Sequence, residues 1–142
     1  MTRYVLGFAV ASSGVVYLIH KARGPEHVVG RWNGIGGKVH DGESDAEAMT
    51  REFAEEAGVT IPRERWHRYG SMGGSGWECA LFTVILRNGE APRTVGDEDV
   101  LSFAWNSVRE GMDNAVENVP VLFALARHAL NDGDFSVTLR YP

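Results

Sequence analysis

The sequence predicts an α/β fold, a mixed β-sheet held between helices. Three observations lead there. Short runs rich in β-branched and aromatic residues alternate with glycine turns, the pattern of strands joined by tight connections. Two segments instead carry apolar residues at helical spacing. Those segments fall between strands, so helices and strands share one set of layers. With 142 residues, 44% of them hydrophobic, the chain has the size and composition of one domain with a full core.

Residues 4–10 and 15–20 read as two strands. Ser12-Ser13-Gly14 between them makes a β-hairpin. Residues 21–37 read as a loop, with six glycines or prolines and the bases Lys21, Arg23 and Arg31. The clearest helix covers residues 44–57. Ser44 and Glu47 form a capping-box pattern, and Gly58 supplies a left-handed stop. At about 100° per residue, Ala46, Met49, Phe53 and Ala57 fall on one apolar stripe. Residues 66–72, 78–86 and 100–105 read as further strands, with Gly73-Gly74-Ser75-Gly76 as a flexible turn. A second helix starts near Asn118, where Val119, Leu122, Phe123, Ala126 and Leu130 recur at helical spacing and Pro120 fits a first turn. Residues 135–141 alternate as a last strand.

The net charge of -5 has one source. Residues 41–56 hold seven acids and one base, and the rest of the chain is close to neutral. Such a chain does not suit a nucleic-acid polymer, which needs clustered Lys and Arg. Cys79 is the only cysteine, which excludes an intrachain disulfide and a cysteine-rich zinc site. No apolar run approaches the roughly 20 residues that span a bilayer. Met1-Thr2-Arg3-Tyr4 lacks the apolar core of a signal peptide, so a cytoplasmic protein without a membrane partner is expected.

Glu52, Glu55 and Glu56 stand three and four residues apart, on one helix face. Like charges so placed repel. They form either a solvated acidic face or a divalent metal cluster whose hard oxygen donors suit Mg²⁺ or Mn²⁺. Gly34-Ile35-Gly36-Gly37-Lys38 ahead of the helix is either a tight turn or a backbone that approaches a phosphate or metal closely. Arg51 lies four residues from both Glu47 and Glu55. It makes a helix-surface salt bridge or orients a catalytic glutamate.

Residues 37–59 read GKVHDGESDAEAMTREFAEEAGV. This segment resembles the Nudix box. Gly37, Glu43, Arg51, Glu52, Glu55, Glu56 and Gly58 fill its fixed positions, and Phe53 and Val59 its apolar ones, Phe53 being bulkier than the usual aliphatic. The resemblance implies a single Nudix domain over residues 1–142 with an α/β/α sandwich fold. It implies an Mg²⁺-dependent hydrolase, Mn²⁺ being a substitute, that acts on nucleoside diphosphate derivatives. Glu52, Glu55 and Glu56 would hold the metal and one of them would activate water. Arg51 would orient them, and Glu43 would brace the loop and helix. The carbonyl of Gly36 and a distant carboxylate would complete the site. Asp97-Glu98-Asp99 is the natural source of that carboxylate, with Glu98 favoured over an ordinary acidic turn. Lys21, Arg23 and Lys38 would contact phosphates or remain solvated charges.

Outside the box the chain is similar to MutT-type nucleoside triphosphate pyrophosphohydrolases, which include enzymes that sanitise oxidised purine nucleotides. Arg31-Trp32-Asn33-Gly34 and Glu117-Asn118 carry that likeness. Asn33 and Asn118 would read the base, in competition with a loop-structuring role for Asn33 and a helix N-cap role for Asn118. Ala115-Val116 stands where the animal enzymes place a stacking aromatic. Trp32, Trp77 and Trp105 are the aromatics available instead. The expected reaction converts a nucleoside or deoxynucleoside triphosphate to monophosphate and pyrophosphate, by a monomer or homodimer. The alternatives are a sugar- or adenosine-linked substrate, or a nucleotide sensor without turnover.

Overall fold

The computed structural model describes residues 1–142. The chain runs β1 (Thr2–Ala11), β2 (Val15–His20), β3 (Trp32–Asn33), β4 (Ile35–Lys38), α1 (Asp45–Ala57), β5 (His67–Gly74), β6 (Trp77–Ile85), β7 (Val100–Ala104), α2 (Trp105–Arg109), α3 (Val119–Asp132) and β8 (Val137–Arg140). A single 3₁₀ turn, Arg63–Arg65, leads into β5. The sheet is mixed, with strand order β3-β2-β1-β6-β5-β8. The β1/β6 and β5/β8 pairs are parallel, and the remaining ladders are antiparallel.

β1 is the central strand, and residues 5–10 are buried without interruption. Such a run needs cover on both faces. One core cluster of 16 buried residues includes Met49, Phe53 and Ala57 of α1. The other, of 15, includes Val119, Leu122, Phe123 and Ala126 of α3. The two layers are nearly equal, so α1 and α3 cover opposite faces of one sheet. The expected α/β/α sandwich is the observed fold.

One edge of β1 is shared. Its residues 9–11 pair with β2, while Tyr4 to Gly7 pair with β4. β2 therefore leans away from β1 and pairs with β7 and β3. That divergence brings β4 against the centre of the sheet and delivers the chain directly to α1.

α1 forms for local reasons. Ser44 Oγ accepts from Glu47 N at 3.1 Å, and Glu47 Oε1 accepts from Ser44 N at 3.2 Å. Gly58 ends the helix at φ +73°. The buried face is Ala48, Met49, Glu52, Phe53 and Ala57, so Ala48 replaces Ala46 on the expected stripe and Ala46 is only partly buried. Phe53 fits because it meets Trp66 edge-on, ring centroids 5.3 Å apart.

Several boundaries differ from expectation. The segment of residues 21–37 is not all loop, since it contains β3 and most of β4. Gly36 is forced by close packing: a Cβ there would lie 1.9 Å from the carbonyl oxygen of Val5. Gly73 and Gly74 belong to β5, which leaves Ser75-Gly76 as the turn. Trp66 precedes β5 rather than starting it, and Trp105 opens the short α2 instead of ending β7. No helix is long and apolar enough to cross a membrane.

Candidate active site

Arg51 is the hub of the acidic helix. Its Nε donates to Glu43 Oε2 at 2.7 Å and its Nη2 to Glu43 Oε1 at 2.9 Å. Nη1 donates to Glu52 Oε1 at 2.9 Å and to Glu55 Oε2 at 3.3 Å, and Nη2 also reaches the carbonyl of Lys38 at 2.9 Å. The Glu47 pairing suggested by spacing does not form. Glu47 is committed to the helix cap and lies near Arg63. One guanidinium thus ties the end of β4, the loop after it and two turns of α1 together.

The Arg51 guanidinium, helped by the backbone N–H of His40, lowers the Glu43 carboxyl from its ordinary 4.5 to about 2. A lowered folded-state pKa gives stability that is present above the unfolded value and is lost as pH falls toward the folded one. The acid limb of stability between pH 4.5 and about 2 should therefore contain a Glu43 contribution. Urea midpoints measured down that range should fall less steeply for Glu43→Gln than for the unsubstituted chain. Parallel curves would remove Glu43 from this role.

The other carboxylates gather around the start of β4. Glu52 is only 9% exposed, and Gly37 makes room for it: a Cβ at Gly37 would lie 2.5 Å from the Glu52 carboxylate. Glu56 has a buried Oε2 with no hydrogen-bond partner. Burial raises its carboxyl to about 7 against the attraction of Lys21; the charges of Glu52 and Glu98 push the same way as burial. Glu98 is 7% exposed, and its Oε2 accepts from the backbone N–H of Ala22 at 2.7 Å. Glu55 is the outlying member, with 58% of its side chain exposed.

No three acidic, imidazole or thiol side chains converge on one point at metal-ligating distance. The geometry gives the reason. Glu52 is turned to Arg51, and Glu98 is turned to Lys21 and Ala22. The bases expected at phosphates are engaged with acids as well. Lys21 Nζ lies 3.3 Å from Glu98, and Arg23 pairs with Asp97 at 2.6 Å. Lys38 lends its carbonyl to Arg51, while its exposed residue makes no ion pair.

At the far end of the site, β3 runs beside residues 114–116. Trp32 N donates to Asn114 O at 2.7 Å, and Val116 N donates to Trp32 O at 2.8 Å. Asn33, the last residue of β3, accepts at Oδ1 from Gly34 N at 2.9 Å. Asn118 is not an N-cap through its side chain. Its backbone is already right-handed helical, and its amide donates to the Tyr141 hydroxyl at 3.1 Å and approaches Met72 Sδ at 3.7 Å. Sequence reasoning missed Tyr141 and Met72 here. The only available signal was that Tyr141 ends an alternating run.

The tryptophans separate. Trp32 packs between His20 and Phe103, with centroids at 5.0 and 4.8 Å. Trp77 lies 6.0 Å from Tyr141. Trp105 is away from this end, beneath Arg127 and against Phe123. Two shallow depressions flank Leu130 in α3. Trp105, Arg127 and Ile85 line one, and Arg65, His67 and Arg87 line parts of the other; neither includes an acidic residue of α1.

A mixed sheet between helices, with Arg-Glu and Glu-Glu pairs on one helix entered from a glycine strand, is the architecture of a Nudix domain. The chain belongs to that family: the NUDIX domain model matches residues 2–124. An oxidized purine nucleoside triphosphate hydrolase of Danio rerio is 41% identical over 63 residues, which are 44% of this chain and 38% of that protein. The matched segment thus spans well under half the length of that relative. A MutT structure from a study of Aliivibrio salmonicida and Vibrio cholerae covers 89% of this chain and 98% of its own, with a TM-score of 0.72 and 22% identity. The NUDIX domain of Shewanella oneidensis NrtR, solved with ADP ribose, covers 90% and 87% with a TM-score of 0.73 and 18% identity. At these identities the structural likeness establishes the fold.

Proposed function

We propose that this chain is an Mg²⁺-dependent pyrophosphohydrolase that converts a nucleoside or deoxynucleoside triphosphate to its monophosphate and pyrophosphate, with oxidised purine nucleotides in its substrate range. The observation that carries this reading is Glu56. It holds a buried carboxylate oxygen with no partner, beside further acids and next to a strand with no side chain at Gly36 or Gly37. Such a group is costly unless something cationic meets it. The donor set of carboxylates and carbonyl oxygens fits Mg²⁺ or Mn²⁺ and does not fit zinc. Glu52, Glu55, Glu56, Glu98 and the carbonyl of Gly36 are the residues that would hold the ion.

When bound, the ion neutralises phosphate charge and lowers the pKa of water. The chain's own residues do the rest. One of the glutamates of α1 accepts the proton from the attacking water. Arg51 keeps Glu52 and Glu55 in place. Lys21, Arg23 and Lys38 meet phosphate oxygens, and Asn33 and Asn118 meet the base. The new bond joins water oxygen to phosphorus, and the broken P–O bond releases pyrophosphate. The name of the Danio rerio relative supports an oxidised purine as one substrate. The acidic helix argues against a nucleic-acid polymer as partner, since a small polyphosphate can arrive with its own cations.

The deciding experiment is product analysis with Mg²⁺ across ordinary, oxidised, sugar-linked and adenosine-linked nucleotides. Monophosphate and pyrophosphate should appear from at least one triphosphate. Tight binding of one nucleotide with no turnover of any would make the chain a sensor. Turnover confined to linked diphosphates would move the substrate class.

A further inference from the structure

The acidic turn Asp97-Glu98-Asp99 sits in a segment, residues 86–99, that contains no helix or strand. Glu98 itself is held by the N–H of Ala22 and by Lys21, and the carbonyl of Asp99 accepts from His20 N at 2.8 Å. The segment that leads to it is anchored separately, at two adjacent residues. The backbone N–H of Arg93 donates to the carbonyl of Ala57 at 3.0 Å, and its guanidinium Nη1 donates to the carbonyl of Gly58 at 3.1 Å. These are carbonyls at the C-terminal end of α1, whose last turn has no basic residue of its own. Arg93 thus supplies the favourable cation from a distant part of the chain. Gly58 adopts φ +73°, the left-handed conformation that favours glycine, and the Arg93 guanidinium packs against it.

The next residue fixes the other side. Thr94 Oγ1 accepts from Val100 N at 2.9 Å and donates to Val100 O at 3.5 Å. The five residues between these anchors contain one buried side chain, Glu98. Glu56 stands one and two residues before Ala57 and Gly58, whose carbonyls Arg93 grips. Arg93 and Thr94 form a clip between the helix that carries Glu56 and the turn that carries Glu98.

We propose that Arg93 is a positioning residue: through the Arg93–Thr94 clip it holds Glu98 at a set distance from Glu56 and thereby sets divalent-cation affinity. This rests on Glu56 and Glu98 being metal ligands. An arginine that only capped α1 would affect stability and nothing else. The test is titration of the metal-free full chain with Mn²⁺ alone, by calorimetry or electron paramagnetic resonance, with amide exchange read over residues 95–99.

Arg93→Met and Thr94→Val should each weaken Mn²⁺ binding by about tenfold, the scale of a lost supporting contact around a metal site. Both should speed exchange in the turn. Arg93→Lys should recover part of the affinity. Glu98→Gln should also weaken binding, and adding Arg93→Met to it should weaken it little further, because Arg93 acts through Glu98. Unchanged Mn²⁺ affinity in folded Arg93→Met and Thr94→Val overturns the clip while Glu98→Gln remains weakened. If Glu98→Gln itself binds as the unsubstituted chain does, the ligand assignment fails first, and the role of Arg93 falls with it.

Discussion

Glu56→Gln should lower hydrolysis by about a thousandfold while leaving a folded chain that is more stable than the original at alkaline pH. The two halves of this expectation come from the same oxygen atoms. Glu56 Oε2 is buried without a partner, and burial raises the carboxyl from 4.5 to about 7. A raised folded-state pKa means that the protonated form stabilises the fold. That contribution is complete below the unfolded value of 4.5 and is lost as pH rises through about 7. Its size is on the order of 3 kcal/mol at most. Glutamine keeps the shape and has no charge to desolvate. Without metal, the melting temperatures of the two proteins should coincide below pH 4, part between pH 4.5 and about 7, and differ most above that, with the variant higher. Mg²⁺ should then raise the melting temperature of the original much more than that of the variant, since only the original gains a full ligand set. Activity within tenfold of the original would remove Glu56 from the chemistry. Parallel melting curves across pH would show that its carboxylate is not held at a cost.

What could be read from the sequence depended on whether the cause was local. α1 was legible because its cap, its stripe and its stop are set by neighbours within four residues; the cap and the stop appear as read, and the stripe appears with Ala48 in place of Ala46. β4 was not. Gly36-Gly37-Lys38 has no strand propensity, and it becomes a strand only because β1 lies alongside with a carbonyl too near for any Cβ. α2 was missed for a similar reason, having five residues and no side-chain cap. The acidic residues of the site were visible as a pattern, but their partners were not. Spacing offered Glu47 to Arg51, whereas the chain gives it Glu43 from outside the helix. Asn118 stands at the N-cap position of α3, yet its amide turns to Tyr141, which a last strand brings in from the end of the sequence. Arg93 gave no signal, because its partners are backbone carbonyls 35 and 36 residues away. Helix caps and stripes are short-range; the groups that aim a carboxylate are not.

Arg51→Met should cost about 3–5 kcal/mol of stability, the largest effect expected from any single change on this surface. Methionine keeps the length of the stem and removes five contacts at once. Glu43 and Glu52 would lose their cation at side-chain exposures of only 15% and 11%, where water replaces it poorly. The Lys38 carbonyl would lose its donor too. For a domain of this size the melting temperature should fall by about 10 °C. Arg51→Lys is the informative companion. It restores the charge but cannot bond Glu43 bidentately and reach Glu52 and Lys38 together, so it should recover only part of the loss. Coupling is the sharper measurement. In the Arg51→Met background, Glu43→Gln should change stability far less than it does alone, because the pair is already broken. The same logic applies to pH. Near pH 2, where Glu43 is half protonated, the gap between Arg51→Met and the original should narrow. A loss below 1 kcal/mol, or full additivity of the two substitutions, would mean that the hub is an exposed ion pair of little weight. The acidic helix would then owe its shape to its caps and apolar face alone.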